Sequence, residues 1–121
     1  MDNFKIQNLL PCEAIAWQEA QGVVGILNSR APEFALGAFV GTELAGVRTF
    51  SSSRLIGLLV KSEFRRRGIG RAMTISALDQ IIPALRDGEF VIVETNHDSG
   101  KLIEGLPSEY RARVYERGWY D

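Results

Sequence analysis

Apolar residues along the chain switch between two spacings. Phe4, Ile6 and Leu9 predict a short first strand ended by Pro11. From Glu13 to Leu27 the spacing turns helical, with Ile15, Trp17, Ala20, Val24 and Leu27 on one broad face. Gly22 and Gly25 weaken that run, so one helix or two short ones fit it. Strands are expected over Phe34 to Val40 and Leu44 to Phe50, joined by a hairpin turn at Gly41-Thr42-Glu43. A second turn at Ser51-Ser52-Ser53 leads to a strand from Arg54 to Val60. That strand is apolar on both sides, as suits a central strand covered on both faces.

A helix of about Gly68 to Ile82 comes next, its buried side read from Ile69, Ala72, Met73, Ile75, Leu78, Ile81 and Ile82. Pro83 marks its end. Glu89 to Thr95 predicts another strand, and the segment from Asn96 to Pro107 a loop with a short turn. Ser108 is placed to cap a last helix, Glu109 to Arg117, stopped by Gly118. The order is strand, helix, three strands, helix, strand, helix. It predicts one α/β domain over residues 1–121, a mixed central sheet with helices on both faces.

Composition narrows the function. The 121 residues are 45% hydrophobic and 24% charged, ordinary for a globular domain. The net charge is −1, but the stretch from Lys61 to Arg71 holds five basic residues and one acid. One basic spot on an otherwise acidic chain suits a small anionic ligand better than a long polyanion. The single cysteine, Cys12, excludes an intrachain disulfide and a cysteine metal cluster, and the single histidine, His97, excludes a multi-imidazole site. No metal is expected. No signal-peptide pattern opens the chain, and no apolar run reaches about 18 residues. The expected location is cytoplasmic, with no membrane contact.

The basic spot lies between a strand and a helix: Arg65-Arg66-Arg67-Gly68-Ile69-Gly70-Arg71. The free N–H groups of a first helical turn attract anions. Two glycines let a phosphate approach the backbone, and arginines add bidentate donors. This is not a Walker loop, because Arg71-Ala72 stands where Lys-Ser/Thr is needed. Nor is it the dinucleotide fingerprint, which needs a third glycine where Met73 stands. The alternative is a tight strand-to-helix turn with no ligand.

The stretch "LLVKSEFRRRGIGRAM" resembles motif A of the Gcn5-related N-acetyltransferases, Arg/Gln-x-x-Gly-x-Gly/Ala, without a gap from Arg65 to Gly70. "ARVYERGWYD" is similar to that family's Tyr-x-x-x-Gly-Phe helix end, through Tyr115, Gly118 and Trp119, with one residue fewer between Tyr and Gly. The resemblance covers Phe34 to Trp119. It implies an acyl-CoA N-acyltransferase-like fold that is C-terminally shortened, because the family's usual C-terminal hairpin does not follow Trp119. Acetyl-CoA would lie, as cosubstrate, in a cleft where the strands Arg54–Val60 and Glu89–Thr95 splay apart. Main-chain N–H groups of Arg66, Arg67, Gly68, Ile69, Gly70 and Arg71 would hold the pyrophosphate, with Arg65 at the motif's first position. Leu58, Leu59 and Val60 would pair with pantetheine amides, as an exposed strand edge can.

Acetyl transfer needs a deprotonated amine, a polarised thioester oxygen and a protonated leaving thiolate. By motif, Tyr115 on the last helix takes the third role; a tyrosine packing helix to sheet is the plain alternative. A backbone N–H near Leu59 or Val60 would polarise the carbonyl. No acid lies between Arg54 and Val60, so the base is unassigned; Glu94 and His97 are candidates, as is water. Asn96 is a candidate ligand contact, and Ser108 falls where the family has an asparagine. Trp119 and Tyr120 would form an aromatic pair suited to a homodimer interface. The leading expectation is an acetyl-CoA-dependent N-acetyltransferase acting on an amine of a small molecule or peptide. The alternative is a non-catalytic coenzyme A sensor or regulatory domain of the same fold. A nucleic-acid patch fits poorly, because aromatics are not interleaved with the arginines.

Overall fold

The computed structural model describes residues 3–22, 31–95 and 97–118, with only the backbone described at 94, 95, 97–99 and 118. Its elements are β1 (Lys5–Leu9), α1 (Pro11–Ala20), β2 (Phe34–Val40), β3 (Glu43–Phe50), β4 (Arg54–Val60), α2 (Ile69–Ile81), β5 (Val91–Thr95), α3 (His97–Glu104), α4 (Ser108–Arg111) and β6 (Val114–Gly118). Single 3₁₀ turns at Ser62–Phe64 and Ile82–Ala84 flank α2. The strands form one sheet in chain order, antiparallel from β1 to β4 and parallel from β4 to β6. Helices cover both faces, so the mixed α/β expectation holds.

Local chemistry explains most boundaries. Pro11 starts α1 because its fixed φ and missing N–H suit a first helical position. Glu13 reaches back to accept the Leu10 N–H at 3.1 Å. The helix ends at Gln21, and Gly22 follows at φ +83°. This agrees with the weakening expected at Gly22; residues 23–30, where the remainder of the predicted run to Leu27 falls, lie outside the described ones. Between β3 and β4 the serine turn is closed by Ser51 N–H to the Arg54 carbonyl, 2.8 Å, and by Glu33, whose carboxylate accepts the Ser52 N–H at 3.1 Å.

Two expectations near the C-terminus are corrected. The loop expected from residue 97 contains α3, whose Ile103, with Leu106 just beyond, is buried in the core. The helix expected from Glu109 to Arg117 is a single turn, Ser108–Arg111, followed by a sixth strand. Ser108 does not cap it: Pro107 stands at the N-cap, and no side-chain cap bond is made. The sheet overrides the helical spacing here. Val91 N–H donates to the Arg113 carbonyl at 2.8 Å, and all five residues of β6 then register with β5. Val114 joins the core, and β-branched and aromatic residues tolerate the strand. Tyr110 fastens the turn from outside by donating its hydroxyl to Asp79 of α2, 2.8 Å.

The main core lies between the sheet and α2 with α3. Leu36, Phe50, Leu55, Val91 and Val93 meet Ala77, Leu78, Ile81, Ile103 and Leu106. It continues toward the start of α2 through Ala38, Ala45, Ile69 and Met73. α1 covers the other face, with Ala14 and Trp17 against Ala35, Val47 and Leu44. Phe50 is 1% exposed and stacks on Phe34 at 5.5 Å between ring centroids. Phe50→Ala is expected to lower unfolding free energy by about 3–5 kcal/mol, read by urea denaturation; a loss below about 1 kcal/mol would contradict this packing.

Candidate active site

β4 has seven residues but pairs with β5 only at Arg54↔Ile92 and Leu55↔Val93. β5, by contrast, pairs along its whole length with β6. Past Leu55, then, the edge of β4 that faces β5 has no strand partner among the described residues. A register shift against β3 at Thr49/Phe50 accompanies the divergence. There the Thr49 hydroxyl accepts the Gly57 N–H at 2.9 Å, so a buried donor stays satisfied where the ladder is irregular.

Backbone alternation decides which groups line the gap. Lys61 N–H donates to the Ala45 carbonyl of β3, 2.9 Å, and Gly57 N–H also turns toward β3. Leu59 shares that phase, and its carbonyl oxygen lies beside Gly46 of β3. The main-chain groups of Leu58 and Val60 therefore point the other way, into the gap. The Val60 carbonyl agrees with this direction, since it accepts the Arg65 Nε–H at 3.0 Å from the following loop. Of the three residues expected to offer main-chain bonds, Leu58 and Val60 face the gap and Leu59 is committed to β3.

The loop beyond β4 is held open at both ends. Lys61 pairs with Glu43 at 2.8 Å, and that hydrogen bond raises the lysine pKa. Arg65 ties back to Val60, and the Arg67 guanidinium lies 5.2 Å from the Phe64 ring centroid. Arg66 has φ +66° and Gly68 φ +77°, so the chain turns through two left-handed residues before α2. Gly68 is the N-cap and offers no side-chain acceptor. The first helical bond runs from Ala72 N–H to the Gly68 carbonyl, 2.9 Å. The N–H groups of Ile69, Gly70 and Arg71 precede it and have no intrahelical acceptor.

Ile69 is buried and anchors the turn in the core, while Arg65, Arg66, Arg67 and Arg71 are exposed. A Cβ at Gly70 would stand 3.3 Å from Leu58 Cδ2 and 3.4 Å from Leu102 Cδ1. The start of α2 is thus pressed close to β4 and α3. Leu102 was not anticipated; its segment reads as a loop because Ser99 and Gly100 are weak helix formers.

The other expected site residues are less concentrated. Tyr115 lies on β6 rather than on a helix, in register with Ile92 of β5, and is 57% exposed. It alternates with core-facing Val114, so it points to the face opposite α2. Glu94 stands in β5 in register with Arg117. His97 opens α3, and Ser108 lies exposed at the start of α4. Asn96, Trp119 and Tyr120 are outside the described residues. Among the described residues no group of three metal-ligating side chains occurs, and no helix is long and apolar enough to cross a membrane.

Three solved structures have a similar fold. A ribosomal-protein-alanine N-acetyltransferase from Brucella melitensis biovar Abortus 2308 matches with TM-score 0.58 and 18% identity, over 98% of this chain and 95% of that one. An aminoglycoside acetyltransferase from an uncultured soil metagenomic sample matches in two complexes. With trehalose the TM-score is 0.56 and identity 17%, over 91% and 86% of the two chains. With sisomicin they are 0.59 and 13%, over 98% and 93%. No protein-family model matches the sequence, and no curated protein sequence matches it significantly. The chain has the general acetyltransferase fold of the Gcn5-related type.

Gly68→Val places a β-branched residue at φ +77°. It is expected to cost about 1–2 kcal/mol in urea denaturation. An unchanged stability would mean that the turn does not hold this conformation in solution.

Proposed function

We propose that the chain binds acetyl-CoA along the open edge of β4 and transfers its acetyl group to an amine. The observation that carries this reading is the early end of β4–β5 pairing immediately before the unfilled N–H groups of α2. The N–H and carbonyl of Leu58 and the N–H of Val60 are offered to an extended ligand carrying amides, as an added strand would use them, while the Val60 carbonyl already accepts from Arg65. Ile69, Gly70 and Arg71 offer N–H groups to a diphosphate, with Arg65, Arg66, Arg67 and Arg71 supplying positive field. Pantetheine joined to a diphosphate has this order of chemical groups.

In the reaction a neutral amine attacks the thioester carbonyl carbon. The carbonyl π pair moves onto oxygen, then returns as the C–S bond breaks, and the amine nitrogen loses a proton. A main-chain N–H of Leu58 or Val60 is the proposed donor to the developing oxyanion. By motif Tyr115 is the candidate proton donor to the leaving sulfur, although its register partner Ile92 pairs with Arg54, before the gap opens; Glu94 is a candidate base, directly or through water. The solved neighbours are named for a ribosomal-protein alanine and for aminoglycosides, so a peptide amine and a small-molecule amine are both candidate acceptors. A second reading, a coenzyme A-sensing domain without turnover, draws on one observation: β4 carries no carboxylate.

Titration calorimetry with acetyl-CoA, and thiol release across a panel of peptide and small-molecule amines, separate the readings. Saturable binding with thiol release supports the enzyme; binding without release on any amine supports the sensor; absence of binding overturns both. Gly70→Glu is expected to repel the diphosphate with its carboxylate and to crowd Leu58 and Leu102 with its Cβ. Its dissociation constant for acetyl-CoA should rise about tenfold or more. Tyr115→Phe should lower the rate of thiol release by about tenfold or more while leaving acetyl-CoA affinity unchanged. An unaltered rate would remove Tyr115 from the mechanism.

A further inference from the structure

Arg48 stands in the middle of β3, in register with Leu36 of β2 and Leu58 of β4. Those partners place it on the face covered by α2, between Gly46 and Phe50 along its own strand. It is 5% exposed, and its Nε is fully buried. Unlike a surface arginine, which lays its stem on apolar surface and returns the guanidinium to water, this side chain is almost wholly within the fold, with its Nε cut off from solvent. Among the described residues no hydrogen bond or ion pair joins the Arg48 side chain to another residue, and its Nε meets no acceptor. Two carboxylates on neighbouring elements are engaged elsewhere: Glu43 of β3 by Lys61, and Asp79 of α2 by the Tyr110 hydroxyl.

Burial pushes the Arg48 pKa down to about 10, so the group is still charged at neutral pH. A charge largely removed from water, with no counter-charge among the described residues, is strongly unfavourable. The guanidinium is also built for one kind of partner, because its planar fork matches two oxygens of a carboxylate or phosphate. We propose that Arg48 is the anchor of a second anion site, between α2 and the sheet, that takes a small oxyanion or the carboxylate or phosphate group of a larger ligand. The anchor stands on β3 rather than in the glycine loop, although its register partner Leu58 borders Gly70, and the proposal does not depend on acetyl-CoA binding there.

The test uses the full chain in anion-poor buffer. Thermal melting is followed while sodium acetate or inorganic phosphate is titrated at constant ionic strength, for the wild type, Arg48→Met, Arg48→Lys and Arg66→Glu. The wild type should show saturable stabilisation by acetate, phosphate or both, and the stronger of the two identifies the ligand's group. Arg66→Glu, which reverses a charge in the loop, should keep that response. Arg48→Met should lose it, and should melt about 4 °C or more above the wild type when no anion is added, because an unpaired charge has gone. Arg48→Lys retains charge without the fork and should need about tenfold more anion, which keeps the test sharp if Arg48→Met fails to fold. Absence of any response in the wild type overturns the proposal. So does a response that survives in Arg48→Met, or one abolished by Arg66→Glu.

Discussion

The parallel half of this sheet is organised by one unsatisfied edge. A strand inside a sheet normally spends its main-chain groups on two neighbours. β4 spends half of them on β3 along its length, but the other half on β5 only through Arg54 and Leu55. From there to Val60 the strand is flanked by apolar side chains, Leu58 and Val60 among them, that pack against the start of α2. The strand is thus held rigid from one side and left open on the other. Open backbone groups in such a place are costly unless water or a ligand meets them.

The loop after β4 is fixed in place by its own side chains. Arg65 is one of four arginines between β4 and the first turn of α2, yet its Nε is directed to the Val60 carbonyl. Lys61 is directed to Glu43. These two contacts fix where the chain leaves the sheet. They also divide the basic cluster into residues that shape the loop and residues, Arg66 and Arg71, with exposed side chains beside the unfilled N–H groups. Ile69 then drives the helix into the core, so the N-terminus of α2 is aimed by hydrophobic packing rather than by charge.

The central motif was legible because its signals are local. Strand, arginines, glycine at the N-cap and helix all depend on residues within a few positions of one another, and so do the hairpin at Gly41 and the serine turn. The C-terminal quarter was not, because its state is set by partners distant in sequence. Val114 to Gly118 has a spacing that fits a helix after Ser108, but β5 offers a full row of main-chain partners and the strand takes them. α3 has weak helix formers at Ser99 and Gly100 and is held by burying Ile103 against the sheet. Arg48 shows the same limit from the other direction. Within "ELAGVRTF" it reads as the polar member of an alternating strand, and nothing near it in sequence signals that α2 covers that face.

The placement of Tyr115 on β6 changes how the chemistry must be divided over the sheet. On a helix it would approach the cleft from the α2 side; on β6 it projects from the opposite face, one strand beyond β5. Core packing closes the α2 face through α3, with Leu102 against Gly70. The groups that grip a diphosphate and those that handle protons would then be reached from different sides of the β4 edge. The open edge of β4 and the first turn of α2 are backbone features that change little with side chains, whereas the far face is defined by the side chains it presents, Tyr115 among them.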